Sequence, residues 1–120
     1  MTDATIRFNQ LKEWILEHPD VSEAPHRFGG TEFRLKNLEF MHSHGPSFLD
    51  IRLSKEDQSR VLSEAKALRH RFAPQAGWVS LRLAGEDDLE RAKELIELAY
   101  RNAKKAQENH SERISRQAKL

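Results

Sequence analysis

The chain has no cysteine, which excludes disulfides, thiolate nucleophiles and cysteine-based zinc or iron–sulfur centres; metal coordination would fall to His, Asp and Glu. It has no long apolar run either. Its hydrophobic stretches last a few residues, where roughly 20 are needed to cross a bilayer, so no membrane-spanning helix is expected. Met1-Thr2-Asp3-Ala4 lacks the basic start and apolar stretch of a secretory signal, which points to a cytoplasmic address. No Gly-rich dinucleotide loop and no nucleophile elbow occurs. With four prolines and five glycines in 120 residues, 38% hydrophobic and 32% charged, the chain is neither low-complexity nor disordered in composition.

What remains is the composition of one globular domain with a real core. The net charge is +1, unevenly spread. Residues 101–120 hold six Lys/Arg against two Glu, leaving −3 for residues 1–100. The positive excess sits in the tail rather than on the body of the domain, which argues against nucleic-acid binding and leaves it a minority reading. We expect a single domain over residues 1–105 and a charged extension over 106–120, helical or frayed.

Hydrophobic spacing orders the elements. Phe8, Leu11, Trp14, Ile15 and His18 recur at three and four residues, one face of a helix stopped by Pro19. Val21 to Phe28 shows no period. From Thr31 the period is two: Thr31, Phe33 and Leu35, then Leu38 and Phe40 after a turn at Lys36-Asn37, then Leu49, Ile51 and Leu53. Ser54 and Asp57 start a second helix with a capping box, whose buried stripe is Val61, Leu62 and Ala65. Leu68, His70 and Phe72 suggest a short strand, and Val79, Leu81 and Leu83 another. Acids at Glu86, Asp87 and Asp88 open the last helix, on which Leu89, Ala92, Leu95, Ile96, Ala99, Tyr100 and Ala103 repeat at about 3.6 residues. The order α-β-β-β-α-β-β-α predicts a two-layer α+β domain with a mostly antiparallel sheet of about five strands, its helices mainly on one face.

The string Pro25-His26-Arg27-Phe28-Gly29-Gly30-Thr31-Glu32-Phe33, with His44, Asp50, His70, Gly77-Trp78-Val79-Ser80 and Leu98-Ala99-Tyr100 following in order, resembles a bacterial domain family known as the luciferase family. The resemblance spans residues 14–103. It implies a small α+β domain and no particular cofactor. More distantly, the layout and the order of tryptophan, strand and helix ending in tyrosine resemble the MmcQ/YjbR-like domains, a likeness that implies DNA binding. The lysine run that precedes the tryptophan in those domains is missing here.

Imidazole is the ordinary side chain that serves as acid, base or metal ligand near neutral pH, and three of the six histidines fall between Pro25 and Leu53. His42 and His44 share a strand face about 7 Å apart and are candidate ligands for a divalent metal, with His26 or His70 as the third. If Gly45-Pro46 forms a two-residue turn, position 42 pairs with 49. His42 then lies on the core side beside Leu49, with Asp50 on the opposite face, salt-bridged to Arg52 or Arg82. Glu39, Met41, Phe48, Asp50, Arg52, Trp78, Ser80 and Arg82 would point away from the helices. That face suits binding unless the first helix or a second copy in a homodimer covers it. Ser43 and Ser47 are candidate nucleophiles without a supporting motif.

The leading expectation is a binding or interaction module. It would take a small anionic ligand or a protein partner on the sheet, with His26, His44, His70, Trp78, Phe48, Arg52 and Arg82 as the contact residues. The alternatives are a histidine-based enzyme, with or without a divalent metal, and a nucleic-acid binder acting through the tail.

Overall fold

In the computed structural model, which describes residues 2–26, 29–70 and 73–118, helix α1 (Asp3–Leu16) starts where the Thr2 hydroxyl accepts the Thr5 amide at 3.1 Å. It ends short of Pro19, as a helix must. Its buried residues, Leu11 and Ile15, stand one turn apart. Arg27, Phe28, Arg71 and Phe72, which belong to the Pro25–Phe33 string and the short strand expected over 68–72, lie outside the described residues.

Six strands follow: β1 (Val21–His26), β2 (Gly30–Leu35), β3 (Leu38–Ser43), β4 (Phe48–Arg52), β5 (Leu68–Arg69) and β6 (Trp78–Arg82). They form one sheet in the order β1-β2-β3-β4-β6-β5, every neighbour antiparallel. The α+β reading stands, with β1 as an added strand. Val21–His26 was illegible because it is an edge strand carrying Pro25, a position that needs no alternating apolar face and tolerates a residue without an amide hydrogen.

Helix α2 (Lys55–Ser63) begins at Ser54, whose hydroxyl accepts the Asp57 amide at 3.1 Å. Helix α3 (Glu86–Ala118) is capped in reverse: Asp88 accepts the amides of Ala84 and Gly85 at 2.8 and 3.0 Å. Helix α3 lies across β2, β3 and β4, α1 packs on α3 and β1, and α2 on β6. The core is the apolar layer between: Phe33, Met41, Leu49, Ile51, Val79 and Leu81 from the sheet meet Leu11, Ile15, Leu95, Ile96 and Ala99. Helix α1 is therefore part of the helical layer, and among the described residues no helix lies over the opposite face of the sheet. Among the described residues no helix is long and apolar enough to cross a membrane.

Candidate histidine–carboxylate site

The uncovered face is built by register. Glu32 pairs with His42, His42 with Asp50, and Asp50 with Ser80, so one residue from each of β2, β3, β4 and β6 stands abreast in a single row. Cross-strand neighbours are separated by about 4.5–5.5 Å, close enough for imidazole and carboxylate to touch. His26 at the end of β1, Glu39 on β3, His44 just past β3, His70 just past β5 and Trp78 on β6 surround that row.

Asp50 is the hub. Its Oδ2 lies 2.9 Å from His42 Nε2, 2.9 Å from His44 Nε2 and 3.4 Å from His70 Nε2, and its Oδ1 accepts the Ser80 hydroxyl at 2.6 Å. The side chain is 5% exposed, a position where an ionised carboxylate is tolerated only with such partners. Burial alone would push its pKa up. Hydrogen bonds from His42 and Ser80, with the electrostatic pull of the His70 and His42 rings, outweigh it and hold the carboxyl down at about 2.

His42 sits between two carboxylates, with Nδ1 2.8 Å from Glu39 and Nε2 2.9 Å from Asp50. Both partners can only accept, so both ring nitrogens donate and the ring is an imidazolium. Burial works against that charge. The hydrogen bonds to Asp50 and Glu39 prevail and raise His42 to about 9.

His26 stacks on His42, centroids 4.1 Å apart and planes 11° from parallel. Its Nδ1 lies 3.2 Å from Glu32, which Arg34 also grips. Burial would raise Glu32, but Arg34 and His26 together draw it below the usual carboxylate range. With Nδ1 donating, neutral His26 carries a lone pair on Nε2, which meets no hydrogen-bond partner among the described residues. His44, 40% exposed, is held to Asp50 through Nε2, and its Nδ1 meets no hydrogen-bond partner among the described residues. His70 is set the other way: its Nδ1 accepts the Ala73 amide at 2.9 Å, so its ring proton lies on Nε2, facing Asp50. Trp78 closes one side, 5.0 Å from the His42 ring and 6.0 Å from His70. Among the described residues, three groupings place one ligating atom per residue within 4.8 Å of one another: His26, His42 and His44; His42, Asp50 and His70; and His26, Glu32 and Glu39.

Of the expected contact residues, the structure brings His26, His44, His70 and Trp78 together, with Phe48 beside His44 at 6.3 Å. Arg52 donates to the Ala76 carbonyl, and Arg82 is exposed, paired across the sheet with Phe48. Three placements are corrected. His42 is on the open face, Asp50 bonds to histidines rather than to Arg52 or Arg82, and Met41 is fully buried under the helices. Both causes are local. The hairpin closes through the His44 amide and Phe48 carbonyl at 2.8 Å, giving a three-residue loop that pairs 42 with 50 instead of 49. In addition, Phe33 pairs with Met41 while Arg34 pairs with Glu39, which leaves Phe40 in a bulge and reverses the phase of β3. Ser43 consequently faces the helical layer, 1% exposed. The contributions of Glu32, Glu39 and Ser80 went unread. Their signal is an acid, a histidine, an acid and a serine that fall abreast once the register is right.

A family model described as Luciferase domain matches residues 37–99, from the β2–β3 turn into α3. The matched segment carries His42, His44, Asp50, His70, Trp78 and Ser80; His26 and Glu32 lie before it. No curated protein matches the chain.

Proposed function

We propose that this chain, which belongs to the Luciferase domain family, binds a small polar ligand on its open sheet face and exchanges a proton with it, His26 and His44 serving as carboxylate-backed bases. The observation that carries this reading is the split use of the two rings. One nitrogen of each is tied to a buried acid, Glu32 or Asp50, and the other is left to accept a proton, the arrangement by which a carboxylate orients and strengthens a histidine base. His42, locked between Glu39 and Asp50, contributes a fixed positive charge rather than a mobile proton. Trp78 offers apolar surface against which a ligand would lie.

Charge balance supports a neutral or cationic ligand ahead of the small anion that Arg52 and Arg82 suggest. Asp50, Glu32 and Glu39 stand against the His42 cation and Arg34, and neither Arg52 nor Arg82 is among the hydrogen-bond partners of the row. The reading covers binding and proton-transfer catalysis alike, because both use the same atoms.

The test is a fragment screen by NMR on chelator-treated protein. Binders should perturb His26, His44 and Trp78 resonances, and His44→Ala should weaken them about tenfold or more, the loss of one hydrogen bond to a charged or polarised group. Binders that map to the helical layer and ignore His44→Ala would contradict it.

A further inference from the structure

We propose that the same face holds one divalent first-row transition-metal ion of the zinc type, ligated by His26, His42 and His44 beside Asp50. The inference rests on the site described above but not on its acid–base role. One nitrogen from each of the three rings lies within 4.8 Å of the others. A tetrahedral ion with metal–nitrogen bonds of about 2.0–2.1 Å holds its ligands about 3.4 Å apart. The contraction needed is of the order of 1 Å, within reach of ring rotation. Asp50 Oδ2, 2.9 Å from the Nε2 atoms of His42 and His44, stands beside this three-nitrogen set, which would leave the fourth position of the ion to water. Nitrogen-rich sets of this kind select zinc-type ions over calcium or magnesium, which take oxygen.

A second feature points the same way. Glu32 holds Nδ1 of His26 and Glu39 holds Nδ1 of His42. Metal-ligating histidines are typically backed by a carboxylate on the far nitrogen, which fixes the tautomer and aims the near one at the ion. Here two rings are so backed, and they are the stacked pair. Three carboxylates against Arg34 and the His42 cation also favour a cation. Ligation through Nε2 would replace the hydrogen bonds from His42 and His44 to Asp50: the His42 imidazolium would give its Nε2 proton to solvent, and the His44 proton would move through solvent to Nδ1, leaving both rings neutral ligands.

The neighbouring groupings are weaker. His70 receives the Ala73 amide on Nδ1, so its Nε2 bears the proton and has no lone pair to give. His70, with Nε2 3.4 Å from Asp50 Oδ2, is therefore a charge neighbour of Asp50 rather than a ligand. Glu32 is already divided between Arg34 and His26, which leaves His26, Glu32 and Glu39 short of open oxygen.

The experiment is calorimetric titration of tag-free, chelator-treated protein with Zn2+, paired with visible absorption of the Co2+ form. We expect one ion per chain and the intense visible bands of four-coordinate cobalt. His26→Ala and His44→Ala should abolish both, and Glu39→Gln should weaken binding by about 10–100-fold. His110→Ala, on the exposed far end of α3, should leave the stoichiometry and bands intact. Thermal melts confirm that each variant is folded, and His44, at the rim, is the variant least able to disturb the core. Absence of saturable one-to-one binding, its retention in folded His44→Ala, or its loss in His70→Ala with retention in His26→Ala would overturn the proposal. Since the fragment screen runs in chelator, a negative metal titration leaves the acid–base reading standing, and a negative screen leaves this one.

Discussion

Asp50 takes hydrogen bonds from His42, His44 and Ser80, with His70 3.4 Å away, so its charge is what the surrounding polar side chains are arranged to satisfy. Asp50→Asn keeps the shape and removes that charge, leaving His42 with Glu39 alone. We expect a loss of about 3 kcal/mol in unfolding free energy, the usual cost of breaking a buried ion pair by one partner, read from chemical denaturation at pH 6. The dependence on pH has a definite sign. Asp50 is depressed from 3.8 to about 2, so its contribution is present above pH 4 and disappears as pH falls toward 2. His42 is raised from 6.5 to about 9, so its contribution is complete below pH 6.5 and disappears as pH rises through 9. Because one ion pair underlies both shifts, the stabilisation counts once and is greatest between about pH 4 and 6.5. Relative to Asp50→Asn, the wild-type chain should therefore lose stability from pH 6.5 to 9; parallel curves for the two proteins would contradict this assignment.

At the scale of elements, the β3–β4 hairpin shows what sequence patterning conveys and what it leaves out. Period and capping signals located β2, β3, β4, β6 and all three helices, because alternation and 3.6-residue repeats come from burial of whole faces. The same signals cannot weigh a three-residue loop against a two-residue one at Gly45-Pro46-Ser47, or detect that Phe40 is accommodated as a bulge beside Tyr100, 6.2 Å away. Each of those details moves side chains across the sheet, and together they put His42 with Asp50. The histidines themselves were legible as chemistry; which of them share a face was not, since that depends on pairing between strands. Gly77 is the other element-level constraint. Its φ of +92° and the approach of Leu53, whose carbonyl oxygen would stand 2.1 Å from an added Cβ, leave room only for glycine, while its own carbonyl accepts the Leu53 amide at 3.0 Å. Gly77→Ala should cost about 2 kcal/mol or more, a fall in melting temperature of roughly 8 °C or more. An unchanged melting curve would show that this turn relaxes freely.

The whole molecule is a sheet with helices on one side and a polar, histidine-lined face on the other. Helix α3 spans 33 residues and outruns the layer it covers: up to residue 114 its last buried residue is Ala103, and Gln107 donates to the Leu35 carbonyl at 3.4 Å. Truncation after Gln107 is therefore expected to leave the melting temperature within about 3 °C, since exposed positions away from special contacts contribute within roughly 0.5 kcal/mol. A collapse of stability would mean that the extension packs on a partner or on a second copy. The arrangement that gives this molecule its character is the row running from Glu32 through His42 and Asp50 to Ser80, and its most direct reporter is the His42 ring. In 15N-labelled, chelator-treated protein at pH 7.5, long-range imidazole correlation spectra should show both His42 nitrogens protonated, with loss of the proton only near pH 9; a neutral His42 titrating near 6.5 would mean that Asp50 and His42 do not meet on the open face.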